Sequence, residues 1–69
     1  MTHDQYTVIW KGRQAFHICI QELRPTDFRP YVWCNINMKY VRWNVGEDSI
    51  FRTFDEVVNF LTENDYVFV

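Results

Sequence analysis

Two runs of alternating side chains near the N-terminus constrain the fold of this chain most strongly. Residues 6–10 and 14–23 are rich in β-branched and aromatic residues, with apolar side chains at every second position, which is typical of strands with one buried face. The intervening residues 11–13 include a glycine, which readily adopts the positive φ of a tight turn. Both apolar sets share one face if Val8 pairs with Phe16, whereas a one-residue slip would put them on opposite faces. The sequence therefore predicts an antiparallel hairpin with a three-residue loop.

The C-terminal third of the chain carries a helix signal. Thr53 and Glu56 have the spacing of a capping box, in which the hydroxyl satisfies an orphan backbone N–H and the carboxylate reaches back. Apolar residues then recur at the spacing of one helix face, at Phe54, Val57, Val58 and Leu61. Asn64 and Asp65 end the predicted helix, and Asn64 is suited to the left-handed conformation. Residues 66–69 are apolar and predict a final strand.

Two prolines separate the predicted hairpin from the rest of the chain. They fall within residues 24–30, and because proline cannot donate a ladder hydrogen bond, we expect a loop there. A third strand is predicted over residues 31–37, followed by a turn or bulge near 37–39 where the apolar parity changes. A second turn at 46–48 and a short strand over 49–52 would then lead into the helix.

Together these elements predict an α+β fold. It consists of a small antiparallel β-sheet of about five to six short strands, with one α-helix near the C-terminus packed on one face. The 69 residues suffice for one domain, spanning residues 1–69, and a chain of this size buries only about 60% of its unfolded surface. Thirteen residues are aromatic: six Phe, four Tyr and three Trp. That is more than one small core needs, so we expect some rings to be displayed for contact with another molecule.

Few residues suit catalysis or metal binding. His17 and Cys19 point to the same side of a strand and Cys34 could join them, but zinc sites usually contain closely spaced ligand pairs that are absent here. The chain has two glycines and one serine, so it has neither a phosphate-binding loop nor a serine-nucleophile turn. We predict no enzyme activity, no catalytic residue, no metal site and no cofactor. The enzymatic alternative would require an unusually reactive thiol at Cys19 or Cys34.

The sequence also bears on location and on surface charge. No stretch approaches the roughly 20 apolar residues that span a bilayer, and residues 1–5 carry no signal-peptide pattern, so we expect a cytoplasmic protein without membrane contact. Residues 1–42 hold six basic and three acidic side chains, and residues 43–69 hold one basic and six acidic. This asymmetry indicates either a bipolar surface or simply an acidic helix layered on a more basic sheet.

The most unusual segment combines arginines, aromatic rings and prolines. We predict partner-binding residues at Arg24, Phe28, Arg29, Tyr31 and Trp33, because Arg, Tyr and Trp dominate the energetics of protein interfaces. Prolines reduce the entropy that a loop loses on binding. The alternative is that Phe28 folds back over the sheet and the arginines are merely solvated.

The C-terminal strand is a second candidate contact. Tyr66, Val67, Phe68 and Val69 must be buried either in the chain's own sheet or in that of a partner. If this strand is an open edge, it would favour a homodimer through strand addition.

A third hypothesis is binding of single-stranded nucleic acid. Aromatic side chains on a sheet, flanked by Arg24, Arg29, Lys39 or Arg42, would make a stacking platform for bases. The net charge of −2 argues against it, because phosphate binding usually needs a dominant basic field. Nucleic acid is therefore the alternative and not the first choice.

Two resemblances accompany this interpretation. Residues 49–61 resemble the stretch of SH2 domains in which a short strand enters the second helix, but no strand of the Phe-Leu-Val-Arg type that holds phosphotyrosine is present, so no SH2 function is implied. In size and architecture the chain is similar to small phage-encoded proteins, including some anti-CRISPR inhibitors. We therefore predict a small protein–protein interaction module, an inhibitor or regulator encoded by a phage or mobile element. As an anti-CRISPR-like or other anti-host factor, it would occlude a site on a larger protein or complex.

Overall fold

The computed structural model describes residues 4–69, which form five strands and one helix. The elements are β1 (Gln5–Trp10), β2 (Gln14–Arg24), β3 (Asp27–Cys34), β4 (Lys39–Arg42), α1 (Phe54–Glu63) and β5 (Tyr66–Phe68). The strands make one antiparallel sheet in the order β4-β3-β2-β1-β5. The helix packs on one face of this sheet, so the predicted α+β architecture is confirmed.

The N-terminal hairpin has the predicted register. Val8 lies opposite Phe16, and residues 11–13 form the connecting turn. Both Lys11, with φ of 52°, and Gly12, with φ of 65°, adopt the left-handed conformation. The apolar alternation in the sequence was sufficient to fix this pairing, because any slip would have exposed one complete apolar set.

The predicted loop over residues 24–30 is wrong. Strand β2 continues to Arg24 and β3 begins at Asp27, so only Pro25 and Thr26 form the turn. Thr26 takes up the positive φ, 61°, that closes so short a connection. The segment is thus a tight hairpin with an irregular register at its end.

Pro30 lies inside β3 without breaking the sheet. It is opposite Ile20, and its carbonyl oxygen accepts a hydrogen bond from the Trp43 backbone N–H at 3.2 Å. The nitrogen and carbonyl of one strand residue point to the same side. On that side Pro30 faces Trp43, the residue after the end of β4 at Arg42, so the proline costs the ladder only the one reciprocal hydrogen bond at its end.

The second half of β3 and the segment before the helix also differ from the prediction. β3 ends at Cys34 instead of reaching residue 37, and Ile36 is 92% exposed in the turn that leads to β4. Residues 49–52 form no regular strand. Phe51 makes an isolated bridge to Phe28, whose N–H donates to the Phe51 carbonyl at 2.9 Å. This segment therefore covers the sheet edge beyond the end of β4.

The helix begins and ends where the sequence predicts, but a different residue adopts the left-handed conformation at its end. Thr53 Oγ1 accepts a hydrogen bond from the Glu56 N–H at 3.1 Å, and Glu56 Oε2 accepts one from the Arg52 N–H at 2.6 Å. Asn64 does not adopt the left-handed conformation, since its φ is −103°, and Asp65 does so instead with φ of 71°. The side-chain amide of Asn64 donates to a helix carbonyl one turn earlier. The same carbonyl, that of Phe60, also accepts the backbone N–H of Asn64 at 3.1 Å.

The core lies between the helix and the sheet. Its buried members come from both layers: Val8, Ile18, Ile20, Trp43, Phe51, Val57, Leu61 and Tyr66. Burying each aliphatic side chain of this set stabilises the fold by about 1.5–3 kcal/mol. Further rings, half-buried, pack around these residues on the same side of the sheet. No helix within residues 4–69 has the length and apolar character to cross a membrane.

Candidate functional site

The sheet face opposite the helix carries the candidate site. Val8, Ile18 and Val32 point toward the helix, so their chain neighbours point the other way. This side of the sheet is called the open face here, and the residues at its centre are Thr7, His17, Tyr31, Trp33, Tyr40 and Arg42. None of the helices and strands formed by residues 4–69 packs over this face.

Three aromatic side chains dominate the open face. All three are half-buried: Tyr31, Trp33 and Tyr40. The rings of Trp33 and Tyr40 meet edge to face, with centroids 5.2 Å apart and planes at 73°. The Trp33 indole N–H donates to Asn35 Oδ1 at 2.8 Å. These contacts hold Trp33 in place before any partner arrives, so less side-chain entropy is lost on binding.

A shallow groove runs along one end of the open face. Its volume is about 430 Å³, and its walls include Thr7, His17, Trp33 and Tyr40. Thr7 Oγ1 and His17 Nδ1 are 3.2 Å apart, a hydrogen bond that orients the imidazole. The volume falls within the range of small-molecule sites, which bury most of their ligand. This groove, however, lies on an uncovered sheet, and it fits a side chain protruding from a partner surface better than an enclosed substrate.

The charges on this side of the sheet are mostly positive. Arg42 is exposed and lies opposite Tyr31, and none of the carboxylates in residues 4–69 approaches it within 4 Å. Asp27 is the acidic residue at the hairpin end of the same face, and Arg24 and Arg29 both bind it at 3.4 Å. The open face thus presents a guanidinium group next to aromatic rings, with its one carboxylate already neutralised.

Cys19 lies on the same face, but its environment does not make its thiol reactive. It is 2% exposed, between Gln5 and Tyr31 on the neighbouring strands, and Gln21 Nε2 contacts its sulfur at 3.6 Å. Burial raises the pKa of the Cys19 thiol, and the hydrogen bond from Gln21 only partly opposes this shift. A buried thiol with a raised pKa is a poor nucleophile near neutral pH, because the thiolate is the reactive form.

The residues that could form a metal or catalytic site with Cys19 do not come together in the fold. Cys34 points to the helix side of β3, since it alternates with Trp33, so it cannot join His17 and Cys19 on one face. Within residues 4–69 no three His, Cys, Asp or Glu side chains cluster as a metal site would require. His3, the other histidine of the chain and the remaining candidate for a fourth ligand, lies outside the described residues.

The structure separates the five predicted partner-binding residues. Tyr31 and Trp33 lie together on the open face. Phe28 packs against the core on the helix side, and Arg29, whose side chain is 17% exposed, donates to a backbone carbonyl at 3.0 Å besides contacting Asp27. Arg24 is at the hairpin turn with its side chain 82% exposed.

Sequence reasoning missed four of the six residues named for the open face. Thr7, His17, Tyr40 and Arg42 were not predicted as contact residues for a protein partner, although the alternation contained the signal. Once Ile18 and Val41 are assigned to the core side, their neighbours must face away from the helix. Tyr40 was harder to place because its strand follows a turn whose length the sequence did not fix.

The predicted contact strand 66–69 lies at the edge of the chain's own sheet. Tyr66 is 9% exposed and Phe68 is half-buried against the core, whereas Val67 and Val69 are 63% and 82% exposed. Its apolar residues are therefore only partly covered by the monomer. No family model, curated protein or solved structure matches this chain.

Proposed function

We propose that this protein is a protein-binding module, an inhibitor or regulator that uses its open face to occlude a site on a larger protein or complex. The supporting observation is the division of the aromatic rings. Ten of the thirteen pack on the helix side, and the other three, Tyr31, Trp33 and Tyr40, lie on the uncovered face. Together with Arg42 they are the residue types that carry most binding energy in interfaces.

The form and charge of the open face define the partner. A pre-oriented ring pair beside a shallow groove suits a protruding apolar or aromatic side chain, as in the buried centre of an interface. Arg42 adds an unpaired guanidinium group among the described residues, which favours a carboxylate on the partner surface. We propose a neutral or acidic protein surface as the target.

The proposal includes a cellular setting. A chain of 69 residues with no enclosed cleft described on its sheet fits a protein that acts by blocking another molecule. We propose that it is an anti-host factor of a phage or mobile element, anti-CRISPR-like in size and architecture, that acts in the cytoplasm. Because Cys19 is buried and its pKa is raised, we assign it no catalytic role.

Capture from host-cell lysate with mass spectrometry tests the open face directly. The bait is used as wild type, Trp33→Ala and Tyr31→Ala, with Phe54→Ala as the matched control. Phe54 is an aromatic residue of the helix side with 36% exposure. We expect one specific partner to be retained by wild type and the control, and to bind at least about fivefold more weakly to Trp33→Ala, the equivalent of about 1 kcal/mol. Equal retention by all four baits would refute the assignment.

Single-stranded nucleic acid is the second candidate for the same face. Its specific support is that Tyr31, Trp33 and Tyr40 are half-exposed on a sheet, beside Arg42, in the arrangement that stacks bases. Fluorescence anisotropy with a labelled strand of about 15 nucleotides, at low and high salt, tests it. Binding that weakens steeply with salt and is lost in Arg42→Ala would support this candidate, and no binding at low salt would eliminate it.

A further inference from the structure

The main-chain groups of β5 point alternately toward β1 and away from the sheet. The Val69 N–H donates to Thr7, and the Asp65 carbonyl accepts from Lys11, so residues 65, 67 and 69 face β1. Tyr66 and Phe68 must then direct their N–H and C=O groups outward. These groups have no hydrogen-bond partner within residues 4–69.

The two edges of the sheet differ in their protection. β4, at one edge, carries Lys39 and Arg42 within four residues, and charges of this kind discourage edge-to-edge pairing. β5, at the other edge, has no charged residue or proline, and its central residue Val67 is 63% exposed. Self-pairing of β4 would bring four positive charges together, whereas self-pairing of β5 would bring none.

We infer that β5 pairs with β5 of a second copy of this chain in an antiparallel dimer. The strand is complementary to itself about a two-fold axis at Val67. Tyr66 then lies opposite Phe68 of the partner subunit and exchanges both main-chain hydrogen bonds with it, and the reverse pair does the same. At the axis Val67 meets Val67 of the partner subunit in a non-hydrogen-bonded pair, where Cα atoms are about 4.5 Å apart.

The dimer would place two binding faces together, an effect that matters only if the open face binds a protein as proposed above. A two-fold axis through an antiparallel strand pair is perpendicular to the sheet, so the two five-stranded sheets become one continuous sheet. Both open faces then lie on the same side. A dimer could engage two copies of a target at once, and the second contact would be intramolecular.

Sedimentation equilibrium of the purified protein tests the dimer without any partner. From about 10 μM to about 1 mM, the weak end of specific association, we expect the mass to rise from 8.5 kDa toward twice that value. Val67→Lys and Val67→Glu each place like charges face to face at the axis, and each should remain monomeric. Because position 67 is exposed, both variants should keep the circular dichroism spectrum of the wild type.

An equimolar mixture of the two variants provides the decisive comparison. Opposite charges then meet at the axis, and we expect the dimer to return at the mass of one Lys and one Glu chain. Val69→Lys is the matched control, since it faces Asp65 of the partner subunit in this register and should dimerise. A wild type that stays monomeric to about 1 mM, or a Val67→Lys that dimerises like wild type, overturns the inference. Trp33→Ala should dimerise normally, so this result is independent of the open-face proposal.

Discussion

Replacing Gly46 by alanine tests how tightly the turn before the helix packs against the core. Gly46 has φ of 66°, and a Cβ added there would lie 3.0 Å from both Phe51 Cζ and Phe60 Cε1. The two rings pack edge to face with centroids 5.3 Å apart, and Phe51 is 4% exposed. Gly12 is a natural control, because it has almost the same φ, 65°, and nothing within 4 Å of its added Cβ.

The expected loss of unfolding free energy has two parts, the strain of the backbone and the crowding of the added methyl group. Alanine in the left-handed region is destabilised by roughly 1–2 kcal/mol, and this applies equally to both glycines. Crowding against packed rings adds about 1–3 kcal/mol at Gly46 alone. We therefore expect Gly12→Ala to lower the free energy of unfolding by about 1–2 kcal/mol, and Gly46→Ala by about 2–5 kcal/mol. A chain of this size has roughly 3–10 kcal/mol in total.

Urea denaturation, followed by tryptophan fluorescence and circular dichroism, measures the free energy of unfolding of both variants. Thermal melts measure their Tm. A difference of 1 kcal/mol corresponds to about 4–8 °C in Tm for a domain of this size, so Gly46→Ala should melt at least about 4 °C below Gly12→Ala. In a Phe60→Ala background, which removes one of the blocking rings, the effect of Gly46→Ala should shrink. Equal destabilisation by the two alanines would show that the strain of the left-handed backbone is the whole effect, and it would refute the packing argument.

Three other predictions concern the core, the pH dependence and the separation of the two faces. Leu61→Ala, at a fully buried position, should lower the free energy of unfolding by about 2–5 kcal/mol; a loss below about 1 kcal/mol by urea denaturation would contradict the assigned core. Burial raises the pKa of Cys19 and of Tyr66 in the folded protein, so the unfolded chain loses these protons first, and stability should fall as pH rises above about 8.5 and again above about 10. A urea midpoint that stays constant from about pH 7 to about pH 10.5 would contradict this. Phe28→Ala should destabilise the fold more than Trp33→Ala, because Phe28 packs on the core; the reverse order in thermal melts would contradict the assignment of the two faces.

The sequence was informative wherever local pattern determines local structure. The alternation around Val8 and Phe16 fixed the hairpin register, and the Thr53–Glu56 capping box located the helix start. The same alternation placed Tyr31 and Trp33 on one face and Val32 on the other. In each case the relevant interaction joins residues that are close in sequence, or pairs two patterns that only one register satisfies.

The failures around the two prolines involve contacts between distant parts of the chain. Pro30 is tolerated in β3 because it faces Trp43 at the very end of the ladder to β4, a fact about another strand that no local rule contains. Arg29, predicted as a contact residue, donates a hydrogen bond to the Ser49 carbonyl, 20 residues away. Phe28 lies on the core side in step with Val32, and its N–H pairs with the carbonyl of Phe51, 23 residues away in sequence. A proline-rich segment with two arginines therefore suggested a binding loop, although its main-chain and side-chain partners lie elsewhere in the fold.

The rings of the open face have two competing explanations, stability of the sheet and binding of a partner. The two explanations predict free energies of different size. The ring pair of Trp33 and Tyr40 joins β3 to β4, and a cross-strand pair of this kind stabilises a sheet by roughly 0.2–1 kcal/mol relative to alanine. A central contact residue in an interface contributes more than about 1 kcal/mol to binding. If sheet stability were the sole reason for the rings, Trp33→Ala would change the unfolding free energy and leave partner affinity unchanged. Because the pair stands on a face that no element of the described chain covers, its larger effect should be on affinity, and measuring both quantities on the same variant decides between the two explanations.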